Sequence, residues 1–261
     1  AVAASEWAGN SVSYAGDVNG DGLADMIVNA AFSDKAGAAD TGKSYVIFGK
    51  TGGTTGNTTV NLTDIATGAG GFVIVGDLAN DLSGQSVSLA GDINGDGLTD
   101  LLVGAPGSKA SATTAGRTYV VYGTTGVSGG SINLSAVAAG SGGFVINGHC
   151  MGDNSGGAVS AAGDINGDGF ADLIVASPLS DPTAGVNAGR YYVIFGGTQY
   201  TQTASVVDFV GTTGADIQVG TTASETFMAG EGNDTLYGNG GADVLSGGRG
   251  NDTFVANASN V

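Results

Sequence analysis

Apolar residues along this chain come in short bursts, and the order of the bursts repeats three times. Each unit opens on a small-Gly step and an alternating stretch: Ala8-Gly9-Asn10-Ser11-Val12-Ser13, Ser83-Gly84-Gln85-Ser86-Val87-Ser88 and Ser155-Gly156-Gly157-Ala158-Val159-Ser160. Alternation with a period of two predicts a half-buried strand. An acidic turn follows. Then comes an apolar run such as Met26-Ile27-Val28 or Leu101-Leu102-Val103, which reads as a buried strand. A polar loop leads to a third burst rich in β-branched and aromatic residues: Tyr45-Val46-Ile47-Phe48-Gly49, Tyr119-Val120-Val121-Tyr122-Gly123 and Tyr192-Val193-Ile194-Phe195-Gly196. The fourth burst is 72–76, then 144–148, and more weakly 206–211. Four short strands per unit, separated by Gly, Asn and Asp turns, predict a β-propeller blade. A blade cannot bury both faces alone, so the units must stack on one another. No pattern predicts a helix longer than a turn or two, and the nearest candidate is 62–66.

From Gly211 the period drops to nine, with frames at 211–219, 220–228, 229–237, 238–246 and 247–255. The last frame, Gly-Gly-Arg-Gly-Asn-Asp-Thr-Phe-Val, matches in full the nonapeptide of calcium-binding parallel β-rolls. Six turn residues offer carbonyls and one acid, and a three-residue strand turns an apolar residue (Leu236, Leu245, Phe254) inward. Successive turns fall on alternate sides, so each ion is expected between turns two frames apart. Asp234 with Asp252, and Glu225 with Asp243, are then same-side partners, and Asp216 is the acid of the first frame. The first two frames are degenerate. Gln218 stands where an apolar residue is expected, and Glu225 replaces Asp.

The acidic turns of the first repeat carry the chemistry. They read Asp17-Val18-Asn19-Gly20-Asp21-Gly22-Leu23-Ala24-Asp25, Asp92-Ile93-Asn94-Gly95-Asp96-Gly97-Leu98-Thr99-Asp100 and Asp164-Ile165-Asn166-Gly167-Asp168-Gly169-Phe170-Ala171-Asp172. Side-chain oxygens stand at positions 1, 3, 5 and 9 of each copy. Glycines at positions 4 and 6 let the backbone turn sharply enough to gather them. Converging carboxylates repel one another unless a hard cation sits among them, and Ca²⁺ takes about six to eight oxygen ligands. The carbonyls of Leu23, Leu98 and Phe170 are natural additional ligands. An EF-hand is excluded, because its position 12 is a bidentate Glu and here it is Val28, Val103 or Val175. The acid at position 9 is therefore expected to complete the site. Three propeller-loop ions, and one to three more in the roll, are the expected complement.

Charge sharpens this picture. Only 12% of residues are charged, yet the net charge is −17, and 14 of the 24 acids are the candidate metal ligands of the two repeats. Seven Lys and Arg, thinly spread, exclude a nucleic-acid surface. No apolar run approaches the ~18 residues of a membrane span. The single cysteine, Cys150, cannot form an internal disulfide. Calcium loops suit a calcium-rich extracellular setting, where ions can take the place of disulfides. No catalytic constellation emerges: no nucleophile elbow or phosphate loop occurs, and the one histidine, His149, lies beside Cys150 in a predicted loop. Trp7, Tyr45, Tyr119, Tyr191 and Tyr192 could line a sugar site but are expected in the core, being at strand positions.

The Asp-x-Asn-Gly-Asp-Gly-x-x-Asp turn, with Gly104-Ala105-Pro106 after the second strand, resembles the FG-GAP repeat of integrin α-subunit propellers and their secreted bacterial relatives. The 211–255 frames resemble RTX (haemolysin-type) repeats. The resemblance implies an all-β chain: FG-GAP blades at about 5–76, 77–148 and 149–210, a short β-roll at 211–255 and a tail at 256–261. Three blades cannot close a propeller, so a partial or shared ring is expected, completed by further blades of a longer chain or by a neighbouring subunit. The resemblance also implies a secreted or cell-surface module exported by type I secretion and attached to a surface protein or glycan. The alternatives are an accessory propeller of a secreted hydrolase and a surface-assembly subunit. The loops at 107–116 and 179–189 are the expected specificity surface.

Overall fold

A computed structural model of the 261-residue chain describes residues 6–51, 59–109, 115–126, 130–148, 151–180, 187–197, 209–210, 214–220, 226–229, 232–240, 244–247 and 250–255. The chain divides into two units, Ala1–Ala204 and Ser205–Val261.

The first unit holds three sheets, each built on one copy of the long repeat. In the first, β1 (Val12–Gly16), β2 (Asp25–Ala30), β3 (Lys43–Ile47) and β4 (Gly71–Val75) pair antiparallel in chain order. The second repeats this with β5 (Ser86–Gly91), β6 (Asp100–Ala105), β7 (Arg117–Val121) and β9 (Gly143–Asn147). Between β7 and β9, the segment β8 (Ser131–Asn133) leaves its own sheet and pairs parallel with β4, setting Ile132 beside Ile74. The third sheet contains β10 (Ala158–Gly163), β11 (Asp172–Ser177) and β12 (Arg190–Ile194) among the described residues. Two short helices, α1 (Leu62–Ile65) and α2 (Leu134–Ala138), occupy equivalent places before β4 and β9. The sequence pattern signalled only the first of them.

The register explains how an acidic turn can leave a regular hairpin. In all three sheets the pairing slips by one residue at the end of the first strand, between Tyr14 and Gly16, Leu89 and Gly91, and Ala161 and Gly163. The slip is a β-bulge closed by a glycine with φ of +73°, +79° or +72°, a conformation other residues adopt only under strain.

Packing follows from the pleat. One face of the first sheet (Ala15, Ile27, Val46, Phe72) meets Val87, Leu101, Val103 and Tyr119 of the second in one buried cluster. The opposite face of the second sheet (Leu102, Val120, Phe144) meets Val159, Leu173 and Val175 of the third. Strand β6, covered on both sides, is buried at all six positions. The apolar run that predicted a doubly buried strand is therefore such a strand in the middle sheet. The equivalent β2 exposes Met26.

The second unit is a two-sided stack of parallel strands. β13 (Phe209–Val210), β15 (Thr226–Met228) and β17 (Val244–Ser246) form one sheet. β14 (Ile217–Val219), β16 (Thr235–Tyr237) and β18 (Thr253–Val255) form the other. Phe227, Ala229 and Leu236 are its buried core.

Three expectations are corrected. Phe209 and Val210, read as part of a fourth blade strand, pair with Phe227 and Met228 and so begin the roll, because their partner lies eighteen residues ahead in the nine-residue rhythm. Phe254, expected inside the roll, is exposed on the last described rung, since it has a rung on one side only. Trp7 and Tyr191, expected in the core, are exposed at 67% and 76%. Trp7 packs its ring on Phe32 at the surface, with 5.2 Å between centroids. Tyr191 points to the side of β12 opposite Tyr192, as alternation requires. His149, Cys150 and much of the loops at 107–116 and 179–189 lie outside the described residues.

Candidate metal sites

The three acidic turns adopt one geometry. At position 1, Asp17 Oδ1 accepts from the N–H groups of Gly20 (2.8 Å) and Asp21 (3.0 Å), and its Oδ2 from Gly22 N–H (2.8 Å). Asp92 and Asp164 accept from the corresponding amides, Gly95, Asp96 and Gly97, and Gly167, Asp168 and Gly169. At position 3, the Asn19 amide oxygen accepts from Asp21 N–H, and its NH₂ donates to Asp21 Oδ2. At position 5, Asp21 Oδ1 accepts from Leu23 N–H. Asn94, Asn166, Asp96 and Asp168 repeat these bonds. The turn amides thus fix the first three oxygen-bearing side chains, and carboxylate oxygens keep further lone-pair capacity beyond one amide bond.

Position 9 differs from the others. Asp25, Asp100 and Asp172 are fully buried, whereas Asp17, Asp21 and their counterparts lie at the surface. Each bridges two amides. Asp25 accepts from Val18 N–H (2.9 Å) in its own turn and from Gly49 N–H (2.8 Å) at the end of β3. Asp100 joins Ile93 to Gly123, and Asp172 joins Ile165 to Gly196. The acid expected to complete the ion site therefore also fastens the turn to the third strand. The glycines at 49, 123 and 196 were missed as functional, although the repeated aromatic-Gly step closing each third burst marks them.

The electrostatics favour a cation. Burial pushes the Asp100 carboxyl up to about 7, opposed by its two amides, while the negative charges of Asp96 and Asp92 push it further up. Asp25 is raised for the same reasons, burial first, with Asp21 and Asp17 acting on it. Among the described residues no three His, Cys, Asp or Glu side chains are gathered closely enough to hold a metal ion by themselves, so amide and carbonyl oxygens would have to complete any site. The donors are oriented by backbone and repel one another, and a divalent cation would relieve that repulsion. Each turn offers three carboxylates, one amide oxygen and one carbonyl, all hard oxygen donors of the kind Ca²⁺ takes.

The roll supplies a second donor set. Asp216, Asp234 and Asp252 stack at the eighteen-residue interval. Asp216 N–H donates to Asp234 Oδ1 (2.9 Å) and Asp234 N–H to Asp252 Oδ1 (3.0 Å). Asp234 is 1% exposed, and its Oδ2 has no hydrogen-bond partner. A buried carboxylate oxygen left bare is costly unless a cation meets it. The turns stack so tightly that a Cβ at Gly250 would strike the Gly232 carbonyl. Asp234 and Asp252 thus come together on one side as expected. Glu225 and Asp243 lie outside the described residues.

One further acid escaped sequence reading. Asp81 is 1% exposed, accepts from Leu78 N–H (2.9 Å), and has its carboxyl raised by burial and by Asp77, while Ser108 and Arg117 act to lower it. Arg117 pairs with Asp77 at 3.8 Å. An acid stands two residues before each small-Gly step, as Glu6, Asp81 and Asp153, and Asp153 is likewise buried, so the repeat itself carried a signal that was missed.

Two sets of repeats and their oxygen-lined turns define a calcium-binding repeat module. The FG-GAP repeat profile matches residues 8–47, 83–121 and 155–194, and the RTX calcium-binding nonapeptide repeat profile matches residues 219–254. The chain therefore carries three FG-GAP repeats followed by RTX calcium-binding repeats, and the FG-GAP sheets fit propeller blades. It is similar to phosphatidylinositol-glycan-specific phospholipase D from Bos taurus, with 31% identity over 187 residues, covering 70% of this chain and 20% of the relative. The Rattus norvegicus protein of the same name is 33% identical over 175 residues, covering 66% of this chain and 19% of the relative. The chain thus spans about a fifth of the length of these relatives. Among the described residues no helix is long and apolar enough to cross a membrane.

Proposed function

We infer that this chain is a non-catalytic, extracellular calcium-binding module that attaches to a surface protein or glycan, with Ca²⁺ holding its architecture. The observation that carries the reading is the threefold recurrence of one amide-locked acidic turn in which a buried Asp clamps turn to sheet. Asp17, Asn19, Asp21, Asp25 and the Leu23 carbonyl would hold the first ion. Asp92, Asn94, Asp96, Asp100 and Leu98 would hold the second, and Asp164, Asn166, Asp168, Asp172 and Phe170 the third. Asp216, Asp234 and Asp252, with Glu225 and Asp243 on the other side, would hold one to three more. The RTX repeats support an extracellular setting and export by type I secretion. Calcium titration by isothermal calorimetry on the chelator-treated protein tests the assignment. Three sites or more are expected, and a protein that binds no calcium at millimolar concentration contradicts it.

A second reading has a specific observation behind it. The relatives are named as phospholipases, yet they align with most of this chain through only a fifth of their own length. That pattern suits an accessory domain of a secreted hydrolase. A catalytic domain in the same gene product would favour it, and hydrolysis of a phosphatidylinositol-glycan by the 261-residue chain itself would contradict the non-catalytic assignment.

A further inference from the structure

The three blades of the first unit are joined by one seam used twice, and its two halves are also present, unused, on the outer blades. At each seam the turn of the later blade sits on glycines of the earlier one. A Cβ on Gly16 would strike Thr99, and one on Gly91 would strike Ala171 at 2.5 Å, but one on Gly163 would meet nothing within 4 Å. Likewise a Cβ on Gly95 would meet Phe170 at 2.6 Å and one on Gly20 would meet Leu98 at 3.1 Å, whereas one on Gly167 would again find open space. By position in the repeat, the residues missing from Gly163 and Gly167 are Ala24 and Leu23. Backbone bonds repeat the pattern. Thr99 N–H donates to the Asp17 carbonyl and Ala171 N–H to the Asp92 carbonyl, both at 3.0 Å. The next pair in the series is Ala24 N–H with the Asp164 carbonyl.

The side chains agree. Val87 and Val159, buried in the two seams, correspond to Val12, which is 63% exposed. Leu101 and Leu173, both fully buried, correspond to Met26 at 51%. On the third blade, Ile165 and Phe195 are 54% and 49% exposed, where Ile93 and Tyr122 of the second blade are buried. Val193, also exposed, corresponds to the fully buried Val46 and Val120. Apolar residues that the repeat buries twice are thus left open at both ends of the stack, on faces of complementary kind.

We propose that a second copy of this chain docks head to tail on the first, the third blade of one against the first blade of the other. Continuity with the two existing seams identifies the occupant, since blade three carries the half that blade one lacks. Two copies bring six blades, within the range of about four to eight at which propellers close. A heterologous contact of this kind can close on itself. The new seam differs from the internal ones in placing exposed Tyr191 where Ser44 and Thr118 are buried, and in one hydrogen bond. Val87 N–H and Val159 N–H donate to the hydroxyls of Ser11 and Ser86, but the residue that would receive Val12 N–H is Ala158. The joint between copies therefore lacks that hydrogen bond. It requires no adhesive ligand.

The test is the mass of the 261-residue chain by sedimentation velocity across a concentration series in calcium-containing, reducing buffer. Reductant excludes dimers through Cys150. The wild-type chain is expected to double from 25.1 kDa as concentration rises. Val12→Asp and Val193→Asp should each remain monomeric. An equimolar mixture of the two should again double in mass, because one intact seam can form between them. That recovery also shows that neither variant is misfolded. A wild-type chain monomeric throughout, a dimer that survives either substitution, or a mixture that stays monomeric overturns the proposal.

Discussion

Asp100 should make the calcium-free protein less stable as pH rises, the reverse of the usual carboxylate effect. Its carboxyl is raised from the ordinary 3.8 to about 7, so the folded chain holds a proton there that the unfolded chain releases. A raised acid contributes its stability fully below the unfolded value and loses it as pH climbs through the folded one. From about pH 4 to pH 7 the loss is roughly 1.4 kcal/mol per pH unit, or about 4 kcal/mol over the window. Asp25 and Asp81, also raised, add to it in the same direction. Calcium reverses the trend, because the ion stabilises the ionised form and protons compete with it. The assay is urea denaturation followed by near-ultraviolet circular dichroism at pH 5 and pH 8, on protein stripped over a chelating resin and on protein in millimolar calcium. The stripped protein should be about 3 kcal/mol weaker at pH 8 than at pH 5. Asp100→Asn cannot accept from both Ile93 and Gly123, so it should be weaker by about 1–3 kcal/mol at pH 5 and should lose the share of the slope that Asp100 supplies, keeping only that of Asp25 and Asp81. Stripped protein that gains stability from pH 5 to pH 8, or an Asn variant with the wild-type slope, would refute the reasoning.

Other expectations follow from the same geometry. Asp96→Ala should remove one bound ion and leave the other two loops intact, read as a drop of one site by calorimetry. Phe72→Ala, at a fully buried site whose ring lies 5.8 Å from that of Phe48, should cost about 3–5 kcal/mol in urea denaturation. Gly91→Ala and Gly163→Ala meet similar positive φ, but only Gly91 faces Ala171 across a seam. On dilute protein the former should therefore cost about 1–3 kcal/mol more, and equal losses would contradict the seam. Asp234→Asn should weaken calcium-dependent ordering of the roll, seen by hydrogen exchange at residues 234–237, while leaving the three loops' affinity unchanged.

Much of this architecture was legible because it is repeated. One acidic turn among glycines is an ordinary surface loop, but three with like flanks specify a hairpin and an oxygen cluster, while the bulge shows only in the pairing. Each third burst kept its aromatic and β-branched residues, so β3, β7 and β12 fall where the pattern put them. Where the repeat weakens, so did the reading. Phe209-Val210 fits either rhythm, and only pairing with Phe227-Met228 assigns it to the roll. Crossing of β8 onto the neighbouring sheet has no local signature, since Ser131–Asn133 reads as an ordinary linker. The dual role of Asp25, Asp100 and Asp172 was half visible. Their spacing marked a ligand, but their burial and their hold on Gly49, Gly123 and Gly196 depend on a strand more than twenty residues away. Asp81 was missed although the repeat marks it, since Glu6 and Asp153 stand at the same place in the other two units.

The most direct test of the central claim is far-ultraviolet circular dichroism and calorimetric unfolding of one sample, first in millimolar calcium and then with excess chelator at pH 8. If divalent ions neutralise the acidic turns and hold blades and roll together, chelation should lower the unfolding temperature and diminish the β signal, and added calcium should restore both. Unfolding temperature and spectrum unchanged by chelation would contradict the account.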